Sequence, residues 1–182
     1  MRAVAILQVA PELGFPEVKP AIEIVRGRWE QKMSPRRRHA ILQGRFCAIV
    51  TQWAGNRGEV GTEWRCYILP PAEKPSSLVP DVAYFSFERM PVECGELREK
   101  PTIAPDIAVE ILSPDDRRAL LDEKISIYLA NGCRLVVVAD TEKRLVEMHA
   151  ASGIEIFQEP AVATCNAYAD LQIDLTETFA TL

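Results

Sequence analysis

Asp106-Ile107-Ala108-Val109-Glu110-Ile111-Leu112-Ser113-Pro114 is the most informative stretch of the chain. Its alternation puts Ile107, Val109 and Ile111 on one side of an extended strand and Asp106, Ala108 and Glu110 on the other. The apolar side predicts a core face, and Ser113-Pro114 stops the strand. An acid in the middle of so hydrophobic a strand is costly to bury unless it is paired or binds a metal. Glu110 has that position, and pairing with an arginine is the structural alternative to a chemical role.

Downstream, Ser113-Pro114-Asp115-Asp116 is expected to cap an amphipathic helix carrying Leu120, Leu121, Ile125, Tyr128 and Leu129, closed by Asn131-Gly132. Lys124 lies four residues after Leu120, three after Leu121 and four before Tyr128, which places it on the face that looks at the sheet. Lysines avoid such a face unless the stem snorkels along its edge or the ammonium meets an acid. Strands are expected over 134–139 and 145–148 around the Asp140-Thr141-Glu142-Lys143 turn, with a third over 155–157.

Upstream, Asp81 opens an apolar strand, 81–87, directly after Pro80, although Pro-Asp is also a common turn dipeptide. Thr62 to Leu69 alternates as a strand, and Pro70 to Pro80 reads as a Pro-rich loop. A surface loop is expected over 88–104. Ser34-Pro35 predicts a helix entry, with Ser as N-cap and Pro at the first helical position, followed by Ile41, Leu42, Phe46, Ile49, Val50 and Trp53 and an end near Gly55. Ile22–Val25 and 29–33, joined through Arg26-Gly27-Arg28, read as a hairpin, and 1–20 as an irregular arm. The sum is α/β, a mixed sheet with helices packed on it, in a single domain of 182 residues.

With 48% hydrophobic and 26% charged residues the composition is that of an ordinary globular chain, and no run approaches the roughly 18 apolar residues of a membrane span. The N-terminus lacks a signal-peptide cleavage site, so a cytoplasmic protein is expected. Five scattered cysteines, with no C-x-x-C pair, suggest neither a zinc site nor a disulfide framework. A net charge of −5 disfavours a protein that coats nucleic acid, yet Arg36, Arg37, Arg38 and Arg45 form a local basic cluster. That cluster is either a phosphate-contacting surface or a solvated helix start.

Two carboxylates and one lysine, Asp81, Glu110 and Lys124, suit hydrolysis of a phosphodiester. The acids would hold Mg²⁺, and the lysine would orient the attacking water or offset developing negative charge. There is no Gly-rich phosphate loop, no G-x-S-x-G and no H-E-x-x-H, and with only His39 and His149 a histidine triad or zinc centre is not expected.

Several segments together resemble the Uma-two family of restriction-endonuclease-like proteins. They are Ile22 to Arg28 through Met33-Ser34-Pro35 with His39, Pro80-Asp81-Val82-Ala83, the 105–114 stretch, Lys124 to Tyr128 with Asn131-Gly132, and Val136 to Asp140. The resemblance implies the PD-(D/E)XK nuclease fold, a Mg²⁺-type metal with Mn²⁺ as substitute, DNA as substrate, and often a homodimer. It implies Asp81 and Glu110 as the motif acids, Lys124 as the helix lysine, and Glu23 as a further metal ligand. Position 112, where the wider motif has its lysine, is Leu, and the strand at 136–141 departs from the usual pattern. The alternatives are a catalytically silent domain, kept as a nucleic-acid-binding or assembly module, and a hydrolase of small phosphate compounds.

Overall fold

The computed structural model describes residues 22–32, 35–70, 74–114 and 116–182. Twelve strands and three α-helices are formed among them. In chain order these are β1 (Ile22–Val25), β2 (Arg28–Gln31), α1 (Arg37–Ala54), β3 (Gly58–Thr62), β4 (Cys66–Ile68), β5 (Ser76–Leu78), β6 (Val82–Ser86) and β7 (Ile107–Leu112). There follow α2 (Arg118–Ala130), β8 (Leu135–Asp140), β9 (Leu145–Ala150), β10 (Gly153–Gln158), β11 (Val162–Cys165), β12 (Tyr168–Asp174) and α3 (Leu175–Thr178).

A six-stranded sheet, in the order β10-β9-β8-β7-β6-β3, forms the centre. Only β7 and β8 run parallel, and α2 is the crossover that joins them. The alternation in β7 sorts its side chains to two sides of this sheet. Ile107, Val109 and Ile111 pack against Leu42, Phe46 and Val50 of α1. Ala108 faces a second core, made with Leu121, Ile125 and Tyr128 of α2 and Val25, Cys66 and Leu78. The face opposite Ile107 and Val109 is thus also covered, so Glu110 lies inside the protein. Each fully buried Leu, Phe or Val contributes about 1.5–3 kcal/mol, so the spacing Leu42, Phe46, Val50 is enough to fix α1 on the sheet.

A smaller sheet, β2-β1-β5-β4, packs on the α2 side. Its first hairpin forms where the sequence predicts it. Arg26 and Gly27 both have positive φ, 47° and 77°, the backbone that a two-residue connection between twisted strands requires. The helix of 118–130 ends as expected, with Gly132 at φ 92° and the Cys133 N–H donating to Tyr128 O.

Four expectations change. The stretch 62–69 is not one strand: β3 ends at Thr62, Glu63 turns through φ 51°, and β4 belongs to the other sheet. The loop of 70–80 contains β5, buried between β1 and β4; Ser-Ser-Leu has no apolar alternation to reveal it. The first helix begins at Arg37 with Arg36 in the N-cap position and no side-chain cap; Pro35 precedes it, and Ser34 lies outside the described residues. Likewise Arg117, not the Ser113–Asp116 turn, is the N-cap of α2, and Asp116 instead accepts from the Ser113 N–H at 2.7 Å. The expected 1–20 arm and Asp115 are outside the described residues. Among the described residues no helix is long and apolar enough to cross a membrane.

Candidate active site

Because β6 runs antiparallel to β7, its start lies beside the end of β7. Asp81, just before β6, therefore meets Glu110, and its Oδ2 accepts a hydrogen bond from the Ile111 N–H at 2.7 Å. Glu23 comes from the other sheet, where its Oε1 accepts from the Val79 N–H at 2.7 Å. Lys124 arrives from α2. Its Nζ is 2.7 Å from Glu110 Oε2 and donates to Glu23 Oε2 at 3.1 Å. All four side chains are buried, and all four line one cavity of about 360 Å³. The residues singled out in the sequence as Glu23, Asp81, Glu110 and Lys124 come from four different elements and converge.

Three further groups join them that the sequence reading did not assign. Lys32 Nζ lies 2.6 Å from Asp81 Oδ1. His39 Nε2 lies 3.2 Å from the same oxygen, with Nδ1 3.3 Å from Ser113 Oγ. Tyr128 Oη donates to Glu110 Oε1 at 3.0 Å. Tyr128 reads in sequence as one more apolar-face residue. Lys32 and His39 lie just beyond a hairpin and in the first turn of a helix, where solvated cations are the rule; only contacts across the fold reveal them.

Three acids thus face two lysines and a histidine. Burial pushes Glu110 up to about 7, against the pull of Lys124, and the neighbouring Glu23 and Asp81 charges push the same way. Burial would raise Asp81 too, but the Lys32 ammonium and the adjacent His39 imidazole overcome it and hold the carboxyl well below its ordinary range. Burial opposes the charge on Lys124, and Glu110 and Glu23 more than restore it, so its pKa rises and it stays cationic. Lys32 and His39 are raised in the same way, each against burial, by Asp81.

The donor set fits a hard divalent cation. Every candidate ligand is a carboxylate oxygen, and Asp81 Oδ1, fully buried, accepts no well-aligned hydrogen bond among the described residues. Among those residues no group of three or more His, Cys, Asp or Glu is placed to hold a metal ion together, so the site as it stands offers at most two protein ligands. One or two carboxylates are enough for a hard divalent cation that keeps several waters and completes its shell with substrate phosphate.

Arg36, Arg37 and Arg38 line an adjoining cavity of about 400 Å³ that shares His39 and Ser113 with the first. All three are exposed, and Arg38 pairs with Glu142 at 2.8 Å. Arg45 is placed elsewhere. Its guanidinium donates to Thr178 O at 2.8 Å and Ala180 O at 2.6 Å, fastening α1 to the C-terminal turn. Asp106 sits at the other end of β7, where it accepts from the Ser86 N–H at 2.9 Å and faces Arg89 at 3.3 Å.

No curated protein matches the chain. Among solved structures, the chain is similar to "a putative nuclease belonging to DUF820" from Anabaena variabilis ATCC 29413, with 28% identity and a TM-score of 0.81 over 92% of this chain and 94% of that one. A family profile described as "Putative restriction endonuclease" matches residues 12–176. That span is nearly the whole chain, and the chain belongs to this family, Uma2, with a nuclease-like α/β fold.

Proposed function

We propose that the protein is a metal-dependent endonuclease that hydrolyses DNA phosphodiester bonds, working as one domain over residues 1–182 with Asp81, Glu110 and Lys124 as its central set. The observation that carries this reading is the meeting of Glu23, Asp81, Glu110 and Lys124, drawn from four elements, in one buried cavity. Burying three acids together is costly, and a fold that needed only stability would fill the space with apolar side chains.

Asp81 and Glu110, with Glu23 beside them, hold Mg²⁺ or Mn²⁺. When bound, such an ion polarises a phosphoryl oxygen and acidifies a water. Lys124 keeps Glu110 and Glu23 together against their mutual repulsion and adds positive potential where negative charge builds up. Arg36, Arg37 and Arg38 extend the cavity outward as a contact for the next phosphates. They stand at the positive pole of α1, where a basic residue is unfavourable and an anion is favoured. Arg45 contributes by holding that helix in place.

One observation favours a second reading. Each acid already has a protein cation beside it, so the site is balanced without a metal, as in a catalytically silent binding or assembly module. Calorimetry with Mn²⁺ and Mg²⁺, run beside nicking of supercoiled plasmid, separates the two. The nuclease reading expects binding and nicking by the native chain, loss of both in Glu110→Gln, and retained binding with lost nicking in Lys124→Ala. A native chain that takes up no metal ends that reading in favour of the second.

A further inference from the structure

Two lysines reach the cavity, and their surroundings differ. Lys124 Nζ has three carboxylate oxygens within reach, Glu110 Oε2 at 2.7 Å and Glu23 Oε1 and Oε2 at 3.0 and 3.1 Å. Two of these are hydrogen bonds, one to each acid, so the Lys124 ammonium is engaged in holding Glu110 and Glu23. Lys32 Nζ donates to Val79 O at 2.8 Å and lies 2.6 Å from Asp81 Oδ1; among the described residues these are its partners. Its side chain is 14% exposed against 7% for Lys124.

β7 itself supplies no cation. Leu112, two residues after Glu110 and on the same side of the strand, lines the cavity with an apolar side chain. The β1–β2 hairpin delivers Glu23 and, just past its second strand, Lys32 to the same cavity. A ligand held by Asp81 Oδ1 would therefore lie within contact distance of the Lys32 ammonium.

We propose that Lys32 is a catalytic residue of this site, contacting a non-bridging oxygen of the phosphodiester over Asp81, while Lys124 is a positioning residue that holds Glu23 and Glu110. The proposal rests on the endonuclease reading for its substrate. In hydrolysis the water oxygen bonds to phosphorus as the ester P–O bond breaks. The water releases one proton to solvent, and the departing alkoxide takes one up. Negative charge on the non-bridging oxygens is what a nearby ammonium stabilises, and a lysine does so as a point charge.

The test measures duplex binding by anisotropy in Ca²⁺ across a KCl series, and plasmid nicking in Mg²⁺ or Mn²⁺, on the native chain, Lys32→Met, Lys32→Arg and Lys124→Met. Circular dichroism confirms that each is folded, with Lys32→Gln replacing a Met variant that is not. Removing one phosphate contact flattens the slope of log K against log salt by about 0.9. Lys32→Met is expected to show that flattening and to lose nicking by about 100-fold, with Lys32→Arg restoring the slope. Lys124→Met keeps the native slope. A native slope in Lys32→Met overturns the proposal, however active the protein is. Absence of nicking by the native chain speaks instead against the endonuclease reading, because the slope decides the Lys32 contact without turnover.

Discussion

Lys124 on α2 and Glu110 on β7, fourteen positions apart in sequence, form a buried ion pair at 2.7 Å, and the same ammonium bridges to Glu23 on the first hairpin. One side chain thus ties the helix layer, the central sheet and the small sheet together. Removing one partner of a buried pair leaves the other charge uncompensated, which costs about 3–5 kcal/mol. Lys124→Met is expected to be destabilised by about that much in urea denaturation. Adding Glu110→Gln should recover part of the loss, because the stranded charge is removed. Two additive penalties would show that the pair is not coupled.

Asp106 shares β7's end with no member of this cluster, since four residues of strand separate it from Glu110 by about 13 Å. Its neighbours are Arg89, Arg134 and the Ser86 N–H, all at the far end of the sheet. It therefore acts in stability. Asp106→Asn is expected to lower stability by about 1–3 kcal/mol, the cost of weakening buried charged hydrogen bonds, and to leave metal binding unchanged by calorimetry. A loss of metal affinity in a folded Asp106→Asn variant would place this acid in the site after all.

The central strands, the first hairpin and α2 were legible in sequence because each has a clean period: two in Ile107-Val109-Ile111, and three to four in Leu121-Ile125-Tyr128. Glu110 and Lys124 were legible for the opposite reason, as charges breaking an apolar pattern. Asp81, at the start of an apolar strand, gained weight only beside Glu110, and Glu23 needed the family resemblance. What stayed hidden was set by tertiary contact. β5 is Ser-Ser-Leu between prolines and is a strand because β1 and β4 flank it. Val162–Cys165 is short and Tyr168–Asp174 is largely exposed, and among the described residues they pair only with each other in a two-stranded sheet, so no apolar run announces them. Lys32 and His39 look like surface cations until Asp81 is brought beside them.

On the α2 side of the central sheet, Arg118 clasps Glu147 through both carboxylate oxygens, at 2.6 and 2.8 Å, and His149 Nε2 adds a contact at 2.8 Å. The Arg118 hydrogen bonds lower the Glu147 pKa against the effect of burial, and His149 assists. A carboxyl depressed in the folded state contributes stability above its unfolded pKa of about 4.3, and the contribution disappears as pH falls through the folded value. Glu147→Gln should therefore be less stable than the native chain at pH 7, with the gap closing below about pH 4. Chemical denaturation at several pH values measures it. A gap that stays constant with pH would mean that packing, not charge, is what the substitution removes.

β10 is the outer strand of the central sheet, and it carries Ile154 and Ile156 on one face, 61% and 64% exposed. An edge strand with two exposed β-branched residues offers both unpaired backbone groups and apolar area to another strand. If the homodimer implied by the family resemblance forms, two copies can pair here about a two-fold axis, each β10 antiparallel to the other. Ile156→Lys would then set two ammonium groups near the same axis, and lysine is a residue that natural edge strands use to prevent such pairing. Sedimentation equilibrium is expected to show a native dimer and a variant at the monomer mass of 20.4 kDa. Unchanged dimerisation in Ile156→Lys would move the interface away from β10, and a native monomer would remove it altogether.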